Sequence, residues 1–222
     1  MNAQLSKSAA TIALGMAFGA VAASASAQSS VTLSGTMDLS LRDVKNGSLG
    51  SQRGMVSGSN ATSKLVVRGR ETIGNGWSAG FLLDATITGD TGASSTPFWD
   101  RQSTVDLRHE SYGELRLGRD WAPTHLLWTA LDPFTTLGIA SANTFRTTQG
   151  SRALGQAFGA TAAASLQNPT LRVNNAVEYF LPGGLGGFYG ALMVSAAEGG
   201  DAGAGQTRGE GGRVGWANRQ WH

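Results

Sequence analysis

The side chains that could perform chemistry in this chain are few and scattered. Histidine occurs at His109, His125 and His222, in a turn, a long loop and the terminus, which is no metal-ligand spacing. Hydrolysis would need a nucleophile oriented by a base, and His125 with a loop serine offers nothing to orient it. Gly184-x-Gly186 opens a strand with no helix behind it, so it reads as a hairpin turn and not as a phosphate cradle. No catalytic grouping, cofactor or metal is expected, and the chain does not read as an enzyme. What remains is charge. Lys64 and Arg68 share one parity of a strand-like run, Arg119 stands where a strand meets a long loop, and Asp132 lies on that loop. Asp38, Arg42, Arg70, Asp84 and Asp106 fall on polar parities of their own runs. Fixed charges of this kind make no bonds, but they can bias ions that pass between them.

The runs that must position these charges alternate with period two. From Val31 to Arg42 every odd position is apolar or Gly and every even position is polar. That length suits a tilted bilayer crossing better than an ordinary globular strand. Ser63–Arg70 and Trp77–Thr88 alternate likewise and are joined by a turn built on Asn75-Gly76; Val66 stands among the basic residues of the first, and Leu82 breaks the polar face of the second. Arg101–Arg108 and Glu114–Gly118 form a second pair, and Thr170–Phe180 with Phe188–Glu198 a third. A last strand is expected near Gly212–Trp216. The stretch Asp43–Thr62 reads as a polar Gly/Ser/Asn-rich loop, and 120–169 as one very long connection. Connections alternate long and short, as in outer-membrane barrels with their short periplasmic turns. Trp77, Tyr112, Tyr179, Phe180, Phe188 and Tyr189 all flank the short turns, where an interfacial aromatic girdle would sit. By parity Leu33, Met37, Leu39, Leu65, Val67, Phe81, Leu83, Val105, Leu107, Leu115 and Leu117 would face lipid.

Composition agrees with export. Lys7, the apolar run Thr11–Ala23 and Ala25-Ser26-Ala27 read as a signal peptide over residues 1–27, with the mature chain starting at Gln28. There is no cysteine, so a passage through the periplasm needs no disulfide. Without Lys7 the chain has 16 Lys and Arg against 15 Asp and Glu, and no basic patch for nucleic acid is indicated. Gly is abundant at 32 against 5 Pro, which suits many turns and close strands.

VTLSGTMDLSL, SKLVVRGRETIGNGWSAGFLLD, FWDRQSTVDLRHESYGELRLGRD, the Asp132-Pro133-Phe134 triplet and NNAVEYFLPGGLGGFYGALM occur in an order that resembles the general porins of Gram-negative bacteria, especially the beta-proteobacterial type. The resemblance implies an all-β fold: an antiparallel sixteen-stranded transmembrane barrel, usually a homotrimer in outer-membrane lipid, passing small hydrophilic solutes and ions. Residues 28–222 would be its front portion, about eight strands, with 120–169 folded into the pore. The Trp216–His222 segment lacks the terminal aromatic strand that the family uses for assembly. On this resemblance Lys64, Arg68, Arg119 and Asp132 are assigned to the pore constriction, and Asp38, Arg42, Arg70, Asp84 and Asp106 to its lining. Strict alternation from Leu117 would turn Arg119 outward, so a bulge or a frayed end near Gly118 is required. Because the basic side has more members, a mild anion preference is expected. Two other readings stay open: a non-closing fragment without activity, and a non-pore surface or adhesin barrel. The apolar residues Leu126, Leu127, Trp128, Leu131 and Phe134 at the base of the long connection suggest that it packs instead of being displayed.

Overall fold

Alternating runs fold as strands whose two faces differ, and here they join into one antiparallel sheet. The computed structural model describes residues 29–45, 51–138, 171–196 and 209–217. The elements are β1 (Ser30–Thr36), β2 (Leu39–Lys45), β3 (Ser51–Ser57), β4 (Lys64–Gly74), β5 (Trp77–Thr88) and the two-residue β6 (Ala93–Ser94). They continue with β7 (Gln102–His109), β8 (Gly113–Trp121), helix α1 (Pro123–Leu131), β9 (Arg172–Phe180), β10 (Phe188–Ser195) and β11 (Gly209–Trp216). The main sheet runs β1-β4-β5-β7-β8-β9-β10-β11, with β6 paired to β5, and β2-β3 form a separate ribbon. Among the described residues the sheet stays open, with β1 and β11 at its edges. The signal segment lies outside the described residues.

Three expectations are corrected. The single run Val31–Arg42 is two strands. It breaks at Met37-Asp38, where the Asp38 carboxylate accepts the N–H groups of Asn60 (2.7 Å) and Ala61 (2.6 Å). The Asp38 N–H donates to Ser63 Oγ, and its carbonyl accepts from Gly58 N–H. The chain is thereby led off the main sheet, and β2 pairs with β3 instead, Leu41 opposite Met55. Consequently Asp43–Thr62 is not all loop. The long connection likewise begins with a helix, whose first turn starts on Pro123, a residue preset for that position.

Register places residues in rows across the sheet. One row runs Leu33-Val67-Leu83, another Phe81-Val105-Leu117-Val177-Val194, a third Leu107-Leu115-Tyr179-Leu192. These are the apolar parities, and this side is exposed: Leu33 is 69% and Leu192 67% accessible. The opposite rows carry Arg70-Gly80-Asp106-Arg116-Glu178-Met193 and Asp84-Gln102, and they are the sheltered ones. Glu178 and Asp120 are each 1% exposed, and Asp84, Gln102 and Thr104 are buried. The buried apolar residues are small or slender by comparison: Ala85, Ala122, Ala176, Ala191 and Met193. The sheet is therefore polar within and apolar without, the reverse of a water-soluble domain.

Two glycines shape the wall. An added Cβ on Gly69 would lie 2.1 Å from Cε1 of its cross-strand partner Phe81, whose ring covers it. Gly118 has φ +129°, and a Cβ there would sit 2.1 Å from the Ser103 carbonyl oxygen. The β8–β9 register shifts between Gly118 and Asp120, with the extra residue on β9 beside Asn175 (φ +52°). Because the extra residue is on β9, the alternation of β8 is unchanged: Asp120 keeps the polar side, and Arg119 stands at the register position opposite Ser103.

The polar wall and its charged clusters

Side chains on the sheltered face form two groups. The lower one lies across β4, β5, β7, β8 and β9. Arg70 donates to Ser78 Oγ (3.0 Å) and Asp106 Oδ1 (3.0 Å). Arg116 bridges Glu114 and Asp120 (2.6 Å), and Gln102 donates to the other Asp120 oxygen at 2.6 Å. The Arg116 guanidinium also lies 4.5 Å from the Phe180 ring centroid. Glu178, opposite Arg116 in the register, has neither carboxylate oxygen hydrogen-bonded.

The upper group gathers where β7, β8 and β9 approach the long connection. Arg101 is paired with buried Asp84 (3.1 Å), whose second oxygen has no hydrogen-bond partner. Arg119 donates to the Asp100 carbonyl (2.8 Å) and to Asn174 Oδ1. Arg172 stacks on Trp121 at 3.9 Å from the ring centroid, and Arg101 reaches the same ring at 5.5 Å. The other partner of Trp121 is His125, stacked at 4.2 Å. Arg172 experiences Arg101 and Arg119 as neighbouring like charges, with Asp100 and Asp84 as the opposing ones. Three guanidinium groups thus converge at one level.

The structure treats the sequence candidates differently. Arg119 lies in the upper group. Asp84 joins it through Arg101, which stands at a strand start and is passed over by parity. Arg172 was also missed, because it opens a strand beside residues that alternation does not reach. Lys64 sits on the polar face opposite Thr36 and Thr86, and Arg68 opposite Thr32 and Leu82; among the described residues neither forms an ion pair. Arg70 and Asp106 are a pair in the lower group. Asp132 is buried, and its carboxylate accepts the N–H groups of Phe134 (2.9 Å) and Thr136 (3.0 Å), closing the turn after α1. Asp38 and Arg42 are not on the main sheet. Asp38 is the hinge of the ribbon, its carboxyl held below the ordinary carboxylate range by the two backbone N–H donors, and Arg42 is exposed on β2. Two of the aromatics assigned to the girdle also belong elsewhere. Phe180 and Tyr189 lie on the polar face, under Arg116 and Arg213, because each pairs with a residue of that parity. Trp77, Tyr179 and Phe188 are on the outer face, and Tyr112 stacks with His109 in the turn.

Helix α1 lies over this face. It packs on β10 and β11, and Pro123 Cγ and Cδ stand 3.8 Å from where a Cβ of Gly211 would be. Gly211 shares a row with Met193 and Glu178, so the helix covers the polar side.

Residues 9–220 match the family model described as Gram-negative porin. The chain belongs to that family. Its place is the outer membrane, as for its relatives. Over 170 residues it is 38% identical to outer membrane porin protein 32 of Delftia acidovorans, covering 76% of this chain and 44% of the relative. It is 30% identical over 106 residues to an outer membrane porin protein of Bordetella pertussis, covering 43% of this chain and 28% of that one. The solved anion-selective porin from Comamonas acidovorans superimposes with a TM-score of 0.70 at 33% identity, over 86% of this chain and 54% of that porin. The chain thus spans about half the length of the porins it matches.

Proposed function

We propose that this chain supplies half the wall of a water-filled pore through which small hydrophilic solutes and ions diffuse, without any catalytic step. The observation that carries the reading is the inversion of the sheet: charged residues sheltered on one face, leucines and valines exposed on the other. Only a wall with lipid outside and water inside is satisfied by that arrangement. In such a pore the cluster Arg101, Arg119 and Arg172, with Lys64 and Arg68 on β4 across the intervening β5, forms the cationic side of the constriction. Asp84 and Asp100 offset it in part. A net preference for anions follows, and it accords with the anion selectivity named for the related porin. Asp132 stays on the inserted loop but serves its turn first. Covering of the polar face by α1 supports an inward loop and speaks against an adhesin that displays it. Assembly as a homotrimer, and removal of residues 1–27, belong to the same reading.

The test is a reversal potential across a salt gradient in planar bilayers. Arg101→Glu with Arg119→Glu should move selectivity toward cations, most at low salt, where the charges are least screened. Lys64→Glu with Arg68→Glu should move it the same way if that strand reaches the same level. Channels whose ion preference ignores all four changes would remove the constriction assignment. A protein that inserts and never conducts would remove the pore itself.

A further inference from the structure

Helix α1 carries an apolar stripe on the side of the sheet where water is expected. Leu127, Trp128, Leu131, Phe134 and Leu137 are all exposed, Leu131 by 59%. Leu127, Trp128 and Leu131 lie one and three residues apart on α1, and Phe134 and Leu137 follow in the turns after it. The helix buries Pro123 and His125 instead. Its axis rises about 1.5 Å per residue, so Leu127 begins the stripe roughly 6 Å beyond Pro123. Trp121, two residues before Pro123, is the ring on which Arg172 and Arg101 lie. The Arg172 Nε is buried and has no acceptor. A run of large apolar side chains therefore starts near a cluster of guanidinium groups.

We infer that this pairing is a subsite for organic anions with an apolar body, aromatic carboxylates above all, and that it ranks them over small hydrophilic anions. The carboxylate is held at Arg101 and Arg172, where a guanidinium offers donors in a planar fork. The ring lies along Leu127, Leu131 and Phe134, exchanging two wetted apolar surfaces for one contact. Acetate or chloride gains only the first of these. The inference rests on the pore reading above and adds to it the class of solute.

The experiment compares block of chloride current by benzoate, phenylacetate and acetate in planar bilayers. Benzoate and phenylacetate should half-block at concentrations at least tenfold below acetate. Leu127→Ser with Leu131→Ser should bring the three solutes together while chloride conductance is retained, since both side chains are exposed and removing them disturbs little packing. Arg172→Gln should weaken block by all three carboxylates. A second arm needs no conduction: iodobenzoate should quench tryptophan fluorescence of the folded protein in detergent, and Trp128→Phe should remove most of that quenching. Equal block by acetate and benzoate, or a benzoate preference that survives both serines, overturns the subsite and leaves the channel standing. If no channel opens, the quenching arm decides: quenching by iodobenzoate that Trp128→Phe leaves unchanged overturns it as well.

Discussion

At Asp38 one carboxylate redirects a whole strand. It accepts two backbone N–H groups from Asn60 and Ala61 and so anchors the ribbon β2–β3 to the main sheet. Those bonds favour the ionised form, so the folded pKa lies below the unfolded one. The sign follows: the anchoring is fully present above the ordinary Asp value, about 3.9, and is lost as pH falls through the depressed folded value. Protection of the Asn60 and Ala61 amides, referred to the intrinsic exchange rate at each pH, should be high at neutral pH and fall on acidification, and Asp38→Asn should show low protection throughout. Slow exchange in the Asn variant would mean that the charge is not the anchor. The residues of β1 make a second test, because neighbours there face opposite media. Leu33→Lys should cost about 2–4 kcal/mol in a lipid-embedded barrel, and Ser34→Lys far less. Urea unfolding in lipid vesicles reads both, and equal costs would reverse the face assignment. This level was only partly legible in the sequence. Parity named the outward leucines, but it could not see that Asp38 has partners twenty-two and twenty-three residues away, nor that Asp132 spends its carboxylate on its own turn.

Among the elements, those whose periodicity is strong were readable and those held by tertiary contacts were not. Trp77–Thr88 alternates almost without fault and is β5 with those bounds. Ser51–Ser57 (SQRGMVS) has no alternation, and it is a strand only because β2 lies beside it. Helix α1 showed a Pro at its start and leucines four apart, at 127 and 131, but nine residues are too few for periodicity to stand out from a loop. Arg101 and Arg172 were missed for a related reason: one precedes β7 and the other opens β9, where parity ceases to predict direction and a ring, Trp121, does the positioning. The bulge between β8 and β9 puts its extra residue on β9, and beside it Gly118 of β8 takes φ +129°. Gly118→Ala should therefore be costly, about 1–3 kcal/mol from the backbone conformation alone, with the Ser103 carbonyl clash in addition. Gly69→Val should expel the Phe81 ring from its seat. Its signature would be a changed near-ultraviolet dichroism with the far-ultraviolet strand signal kept. An unchanged aromatic signal would show that the ring does not rest there.

For the molecule as a whole, the N-terminal segment predicts its own removal. Ala25-Ser26-Ala27 follows a short apolar run, so Edman sequencing of protein recovered from outer membranes should begin at Gln28, and a retained Met1 would reject it. The inversion of the sheet, with lipid outside and water inside, has another consequence during synthesis. Because the apolar residues of each strand are interleaved with Lys64, Arg68, Asp84 or Thr86, the mature chain contains no stretch that an inner-membrane translocon would release sideways as a spanning helix. The same leucines and valines, gathered on one side only after folding, would be far more apolar if they were contiguous. The destination of the polypeptide is thus encoded in the order of its residues more than in their kinds. If every polar residue from Lys64 to Thr86, with Glu71, Thr72 and Asn75 of the turn included, were leucine, the resulting run would exceed about 20 residues, enough to lodge in the first bilayer it meets. Fractionation should then find that variant stranded in the inner membrane, its signal peptide cleaved and its journey ended one membrane early.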